Sequence, residues 1–300
     1  MEQSKKKYLA PVGALLLALL LVTVITFPML SMEVKDIPVA VFSQDEGMKT
    51  PDGTVNAGEK TLKVTLDQGK NPLVSNSLAS MLTAMSEQSG MKLQTEIVHS
   101  TADYGMLAMF LPMACVMFIY IGSLLTSLMT TKNIGLRDAA AKRKAGASYG
   151  LQVLYLLCGA LVLGFAAVCI IRGITGVELE IGKIGIMLAI IAGGIMLLTN
   201  GCINLFGTKG IAIPVLLFFL GMSLMSIPHQ FLPGFWDTAV ASWEPLRYFG
   251  EGLRALLYQG SGLWNCATVA SIVLAAVGVA VSLIAVVREK KYWETAGEKQ

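Results

Sequence analysis

Charge is what this chain lacks most. Only 14% of its 300 residues are charged, whereas a water-soluble domain carries about 25%. A deficit of that size excludes a surface that faces water throughout. The net charge of +3 gives no basic footprint for a nucleic acid. Histidine is scarce, with His99 and His229 alone, and no cluster offers the three or four ligands that a zinc site needs. The cysteines Cys115, Cys158, Cys169, Cys202 and Cys266 form no CxxC pair and all lie in apolar stretches. They read as small packing residues rather than as metal ligands or a disulfide framework. Paired carboxylates, a Ser or Thr with a base partner, and hydrolase or transferase motifs are missing too. The chain is expected to catalyse nothing and to need no cofactor.

One stretch imitates a nucleotide site. Gly53-Thr54-Val55-Asn56-Ala57-Gly58-Glu59-Lys60-Thr61 has the outline of a P-loop. That loop needs Lys directly after the second Gly, so that its ammonium reaches the phosphates. Here Glu59 intervenes, and a polar turn is the better reading.

In place of charge there are long apolar runs. Hydrophobic residues make up 54% of the chain and the mean hydropathy is +0.65. A helix crosses the hydrocarbon core in about 20 residues. Six stretches reach or approach that length without a charged residue: Tyr8–Leu30, Tyr104–Thr130, Tyr149–Ile171, Ile184–Phe206, Ile211–Ile227 and Leu263–Val287. The fifth is shortest and contains Pro214, which a membrane helix tolerates near its end. The first, behind Lys5-Lys6-Lys7, is either an anchor or a cleaved signal peptide. Its run exceeds the usual 7–15-residue apolar region, and no A-x-A-like cleavage site follows it. Gln152, Thr199, Asn200 and Asn204 stand out as uncharged polar residues inside the spans. Proton- and ion-coupled carriers keep ionisable groups there, so any transport is expected to draw energy from another protein.

Basic residues set orientation. Lys5, Lys6 and Lys7 precede the first span, Lys132, Arg137, Lys142, Arg143 and Lys144 crowd the connection between the second and third, Lys209 follows the fourth, and Arg288, Lys290 and Lys291 follow the sixth. These alternate connections are expected to be cytoplasmic, with both chain ends. The expected fold is an all-α polytopic membrane protein of about six transmembrane helices with a small α/β extracytoplasmic insertion. Residues 1–30 hold the N-terminus and first helix, and 31–103 the insertion. Residues 104–287 form a five-helix membrane domain, and 288–300 a cytoplasmic tail.

Within the insertion, residues 37–42 and 62–66 read as strands, the second by its alternation. Asn71-Pro72 reads as an N-cap and first helical residue of a helix that ends near Gly90, with Leu78, Met81, Leu82 and Met85 on one face. Residues 91–99 read as a third strand. A second outer segment, 228–262, is dense in aromatic residues, as the membrane interface favours. From Glu244 to Tyr258 its pattern is helical and amphipathic. It reads as a helix lying in, or dipping into, the outer leaflet, with Glu251 and Arg254 three apart and able to pair.

Several of these stretches resemble a known family. An anchor leads to Ile37-Pro38-Val39-Ala40-Val41-Phe42-Ser43-Gln44-Asp45-Glu46-Gly47, then Val98-His99-Ser100-Thr101-Ala102-Asp103-Tyr104-Gly105 enters the second span. Phe235-Trp236, Trp243-Glu244-Pro245-Leu246-Arg247-Tyr248 and Glu251-Gly252-Leu253-Arg254 precede the last. This order of parts resembles the ABC-2 type membrane permease superfamily, most of all its YhgE/Pip (phage infection protein) branch, although that branch often has a much longer outer domain. The resemblance implies the permease subunit of an exporter in a bacterial cell membrane, working as a homodimer or heterodimer and powered by a separate ATPase subunit. It implies that 131–148, with Lys132, Arg137, Lys142, Arg143 and Lys144, couples to the ATPase. It also implies that the re-entrant segment with Trp243, Pro245, Glu251 and Arg254 closes the outer mouth. The alternative is a cell-surface receptor or secretion-machinery protein that keeps the fold without transport. The partners expected are therefore the lipid bilayer, a second permease subunit and the ATPase, with no nucleic acid.

Overall fold

The computed structural model describes residues 41–43, 61–70, 72–89, 92–104, 107–136, 145–226 and 232–297. The first apolar stretch, the P-loop-like turn and the basic residues Arg137, Lys142, Arg143 and Lys144 lie outside these. The described chain is mostly helical. Four stretches in it are long and apolar enough to cross a bilayer: Leu107–Asn133, Ala145–Thr175, Ile181–Met225 and Cys266–Lys290.

Ahead of them lies a small sheet. Strand β1 (Val41–Ser43) pairs antiparallel with β2 (Thr61–Asp67), which pairs in parallel with β3 (Lys92–Val98). Helix α1 (Pro72–Ser89) makes the crossover between the parallel strands, as parallel pairing requires. On β2, Val64 and Leu66 are buried and Thr65 is exposed, the alternation expected of a half-buried strand. The face predicted for α1 packs less fully than expected. Met81 and Met85 are exposed, and Leu78 and Leu82 are half-buried. Three strands, one of them three residues long, are too narrow to cover an 18-residue helix.

The apolar helices are α2 (Leu107–Asn133), α3 (Ala145–Thr175), α4 (Ile181–Phe206), α5 (Ala212–Ser226) and α7 (Cys266–Gly297), with α6 (Pro245–Tyr258) ahead of the last. Helix α4 is the hub and has buried residues all round. Ser127 of α2 donates to the Met196 carbonyl at 3.0 Å, and Thr268 of α7 lies by Met187 while Gly278 lies by Leu197. Helices α2, α4 and α7 therefore run one way. Helix α3 runs the other, with Gly164 against Gly185 and Ala189, and Gln152 beside Asn200. Bare backbone sets the closest approach. A Cβ on Gly278 would overlap the Leu197 carbonyl, and one on Gly201 would overlap the Gly278 carbonyl. Without an apolar driving force between helices in lipid, such close packing is a main source of association.

The predicted fourth and fifth spans, Ile184–Phe206 and Ile211–Ile227, fall within one apolar stretch broken by a turn. Gly207 takes φ +69, a conformation that costs Gly little. A 3₁₀ turn over Gly207–Ile211 then folds Gly210 onto the backbone of Cys202 and Ile203. Pro214 falls in the first turn of α5, where a missing N–H loses nothing. At 15 residues α5 is about 22 Å long, short of the roughly 30 Å hydrocarbon core.

Candidate functional site

Two polar constellations interrupt this apolar packing. The first surrounds α6. Glu244 is its N-cap and Pro245 its first residue, the pairing that starts a helix well. The Arg247 N–H donates to Glu244 Oε2 at 3.1 Å. The depth of α6 follows from its neighbours on α2. Helix α2 has 27 residues, about 40 Å, and Tyr120 is midway along it. Tyr120 donates to the Pro214 carbonyl at 2.8 Å and stacks on Phe218 at 4.9 Å. One turn farther along α5, the bare face of Gly221 receives the Glu244 carboxylate. Tyr120 and Glu244 are close enough to act on each other electrostatically. At the other end of α6, Tyr258 donates to the Ala108 carbonyl at 2.9 Å, and its ring meets Tyr104 edge-on at 5.0 Å. Pro112 explains that bond. Its missing N–H leaves the carbonyl four residues earlier without its helical partner, and the Tyr258 hydroxyl fills the vacancy. Helix α6 therefore runs from mid-length of α2 to its Leu107 end. The amphipathic helix expected at 244–258 thus lies alongside one half of α2.

The expected pairing of Glu251 with Arg254 is corrected. Glu251 Oε1 accepts from Arg247 Nε at 2.9 Å, and Arg247 Nη1 also lies 3.9 Å from Asp237. Arg254 turns the other way and donates to the Met225 carbonyl of α5 at 2.7 Å. On a helix, i+3 and i+4 partners are both within reach, and the free carbonyl end of α5 draws Arg254 off. Of the other residues singled out in the sequence, Pro245 is buried at the helix start, while Trp243 is exposed and donates to the Ala239 carbonyl.

Glu244 is the residue that sequence reasoning missed. It is completely buried, and its Oε1 has no hydrogen-bond partner. No ion pair to it occurs among the described residues, because the Arg247 guanidinium serves Glu251 and Asp237. A helix N-terminus favours an anion by about 0.3–1 kcal/mol, up to ~2 when partly buried. An unpaired charge in a dry interior costs several. Desolvation outweighs the cap. Glu-Pro ahead of an amphipathic run marks a helix start, but nothing in the sequence sets its depth.

The second constellation lies at the Asn133 end. Asn200 and Asn204 of α4 donate to Gln152 Oε1 of α3 at 3.1 and 2.9 Å, and Asn204 also donates to Asn200 Oδ1 at 3.0 Å. Asn200 donates to Thr131 of α2 at 2.9 Å, Ser282 of α7 lies 3.5 Å from Asn200 Oδ1, and Gln152 donates to the Ile134 carbonyl. Four helices are thus tied together at the root of the basic connection. Lys132 is exposed on the last turn of α2. Three of the four polar residues singled out in the sequence meet here. Thr199 does not, since its hydroxyl bonds Ile195 within its own helix.

The four apolar stretches are those of a membrane protein, with a polar layer at one end of the bundle and a buried carboxyl group toward the middle of α2. No family model, curated protein or solved structure matches the chain. Among the described residues no group of His, Cys, Asp and Glu could hold a metal ion.

Proposed function

We propose that this chain is the membrane subunit of an ABC-2 type exporter, driven by a separate ATPase subunit and paired with a second permease subunit. In this reading Tyr8–Leu30 and α5 bring the spans to six. Both chain ends and the basic connection after α2 are cytoplasmic, and the small sheet lies outside. The observation that carries the reading is the path of α6, a helix that enters to half depth between the fifth span and the last. Such a helix closes the outer half of a path while leaving the other half to the bundle. The amide layer supports the same reading. A push on the connection after Asn133 reaches Ile134, Thr131 and Gln152 directly, and through them four helices.

Purification of the tagged chain under mild conditions tests this. An ATPase subunit is expected to co-purify, and changing Lys142, Arg143 and Lys144 together to Gln should abolish its recovery while the chain still inserts. Recovery of no ATPase by the parent chain from its native membrane would overturn the reading.

A further inference from the structure

Glu244 sits where an ionised carboxylate is hardest to keep. It is fully buried, it lies beside the midpoint of α2, and its Oε1 meets no donor. The groups around it leave its charge unanswered. Helix α5 offers the bare Gly221 and, a turn away, Phe218. Helix α2 offers Tyr120, whose proton is already given to Pro214, and Cys202 of α4 lies within electrostatic reach of the same Tyr120. On α6 itself, the backbone N–H groups of Arg247 and Leu246 face the carboxylate, while the Arg247 guanidinium is held by Glu251, Asp237 and the Ala241 carbonyl. Ionised, Asp237, Glu244 and Glu251 would face two cations, Arg247 and Arg254. With Glu244 neutral the segment is balanced.

We propose that Glu244 is a proton-binding site that stays occupied while α6 is seated at half depth and empties when α6 withdraws and water reaches the carboxyl. A carboxyl group in a dry site takes a proton rather than stay ionised without a partner, and an ionisable group at this depth is a functional site by default. The sign follows from linkage. The seated state binds one proton more than the withdrawn state, so acid favours seating and rising pH favours withdrawal. The preference for the seated state is complete below the ordinary value of a solvated Glu, about 4.3, and is lost as pH rises. While only the seated state holds the proton, each pH unit changes the seated-to-withdrawn ratio about tenfold. The proposal rests on the geometry of α6 and not on the partner ATPase, so the co-purification test above can fail without touching it.

The full-length chain in lipid nanodiscs allows two measurements. Infrared spectroscopy at neutral pH should show a protonated-carboxyl C=O band that shifts in D₂O, disappears in Glu244→Gln and survives in Glu251→Gln. Because Gln copies the neutral acid, Glu244→Gln should also insert and fold at least as well as the parent. In a background without the five native cysteines, Ala241→Cys should then be labelled by a water-soluble thiol reagent with and without Glu244→Gln. Dividing the two rates removes the thiol's own titration. The ratio should rise with pH by up to about tenfold per unit. A missing band, a band indifferent to Glu244→Gln, failure of Glu244→Gln to fold, or a rate ratio independent of pH would overturn the proposal.

Discussion

Replacing Gln152 with Leu keeps most of the side-chain volume and removes both polar ends. The Oε1 acceptor of Asn200 and Asn204 is lost, and so is the donor to the Ile134 carbonyl and to Asn204 Oδ1. The cost depends on what each partner can do next. Asn200 keeps Thr131 at 2.9 Å, and Asn204 keeps Asn200 Oδ1 at 3.0 Å. Neither amide is orphaned, so the full penalty of about 1–3 kcal/mol for a buried unsatisfied group does not apply to each. The average for hydrogen bonds between membrane helices, about 0.6 kcal/mol, is the better measure. Four bonds then amount to roughly 2.4 kcal/mol, close to a sixtyfold change in the folded-to-unfolded ratio. Thr199→Val at the same level is the control. It breaks only a bond within α4, at 2.8 Å, and should change stability by less than about 0.5 kcal/mol. Reversible unfolding in mixed micelles measures both. A Gln152→Leu effect no larger than that of Thr199→Val would refute the idea that the amide layer ties the helices together.

Three further outcomes can be checked. Gly278→Ala places a methyl group on the Leu197 carbonyl and should destabilise the α4–α7 pair by about 1–3 kcal/mol, whereas Gly150→Ala, which meets nothing within 4 Å, should be neutral or stabilising by up to about 1 kcal/mol; thermal unfolding separates them. A double-mutant cycle on stability should find a larger coupling for Arg247→Ala with Glu251→Ala than for Arg254→Ala with Glu251→Ala, and the reverse order would restore the pairing first read from the sequence. Single cysteines at Ser77, which is exposed, and at Thr175, in a background without the native five, should react with an impermeant reagent on intact cells while one at Ala145 stays protected, and the opposite pattern would invert the orientation argued from the basic clusters.

Most of the helices were legible because bilayer thickness writes itself into the length of apolar runs. Helix α1 was legible from Asn71-Pro72, and α6 from Glu244-Pro245 followed by an amphipathic pattern. Hydropathy could not distinguish a helix lying at the interface from one standing at half depth. Both need one apolar face and one polar face, and the contact of Tyr258 with Ala108 is not written in hydropathy. The same limit hid Glu244, whose number and type were plain but whose partners are all distant in sequence. Gln152, Asn200 and Asn204 were visible as polar residues out of place. Whether they met depended on the helical phase of α3 against α4, which close packing at Gly164 sets. The break at Gly207 was legible as a gap between apolar runs, but its turning of the chain back onto Cys202 depends on a positive φ that the residue type permits without dictating.

The two polar sites differ in a way that bears on movement. Where water is absent, every polar group must find a partner within the protein. The amide layer satisfies this nearly completely, and the glycine contacts of α4 with α7 lie just beyond it, so shifting α2, α3, α4 and α7 against one another would break several bonds at once. Around α6 the hydrogen bonds to neighbouring elements run singly to scattered places: Tyr258 to Ala108, Tyr104 to Leu257, Arg254 to Met225 and Asn265 to Gly252, beside the tight seat of Glu244 on Gly221. No two of these bonds share a residue, unlike those of the amide layer, and one carboxylate oxygen goes without a partner. Gln259, directly after α6, lies against the Gly69 turn beside His99, at the end of the small sheet. A force applied to that sheet therefore reaches α6 through Gln259 as well as α2 through the chain that follows β3. Withdrawal of α6 would have to break these bonds and expose Leu246, Phe249 and Leu253, while the bonds of the amide layer stay intact.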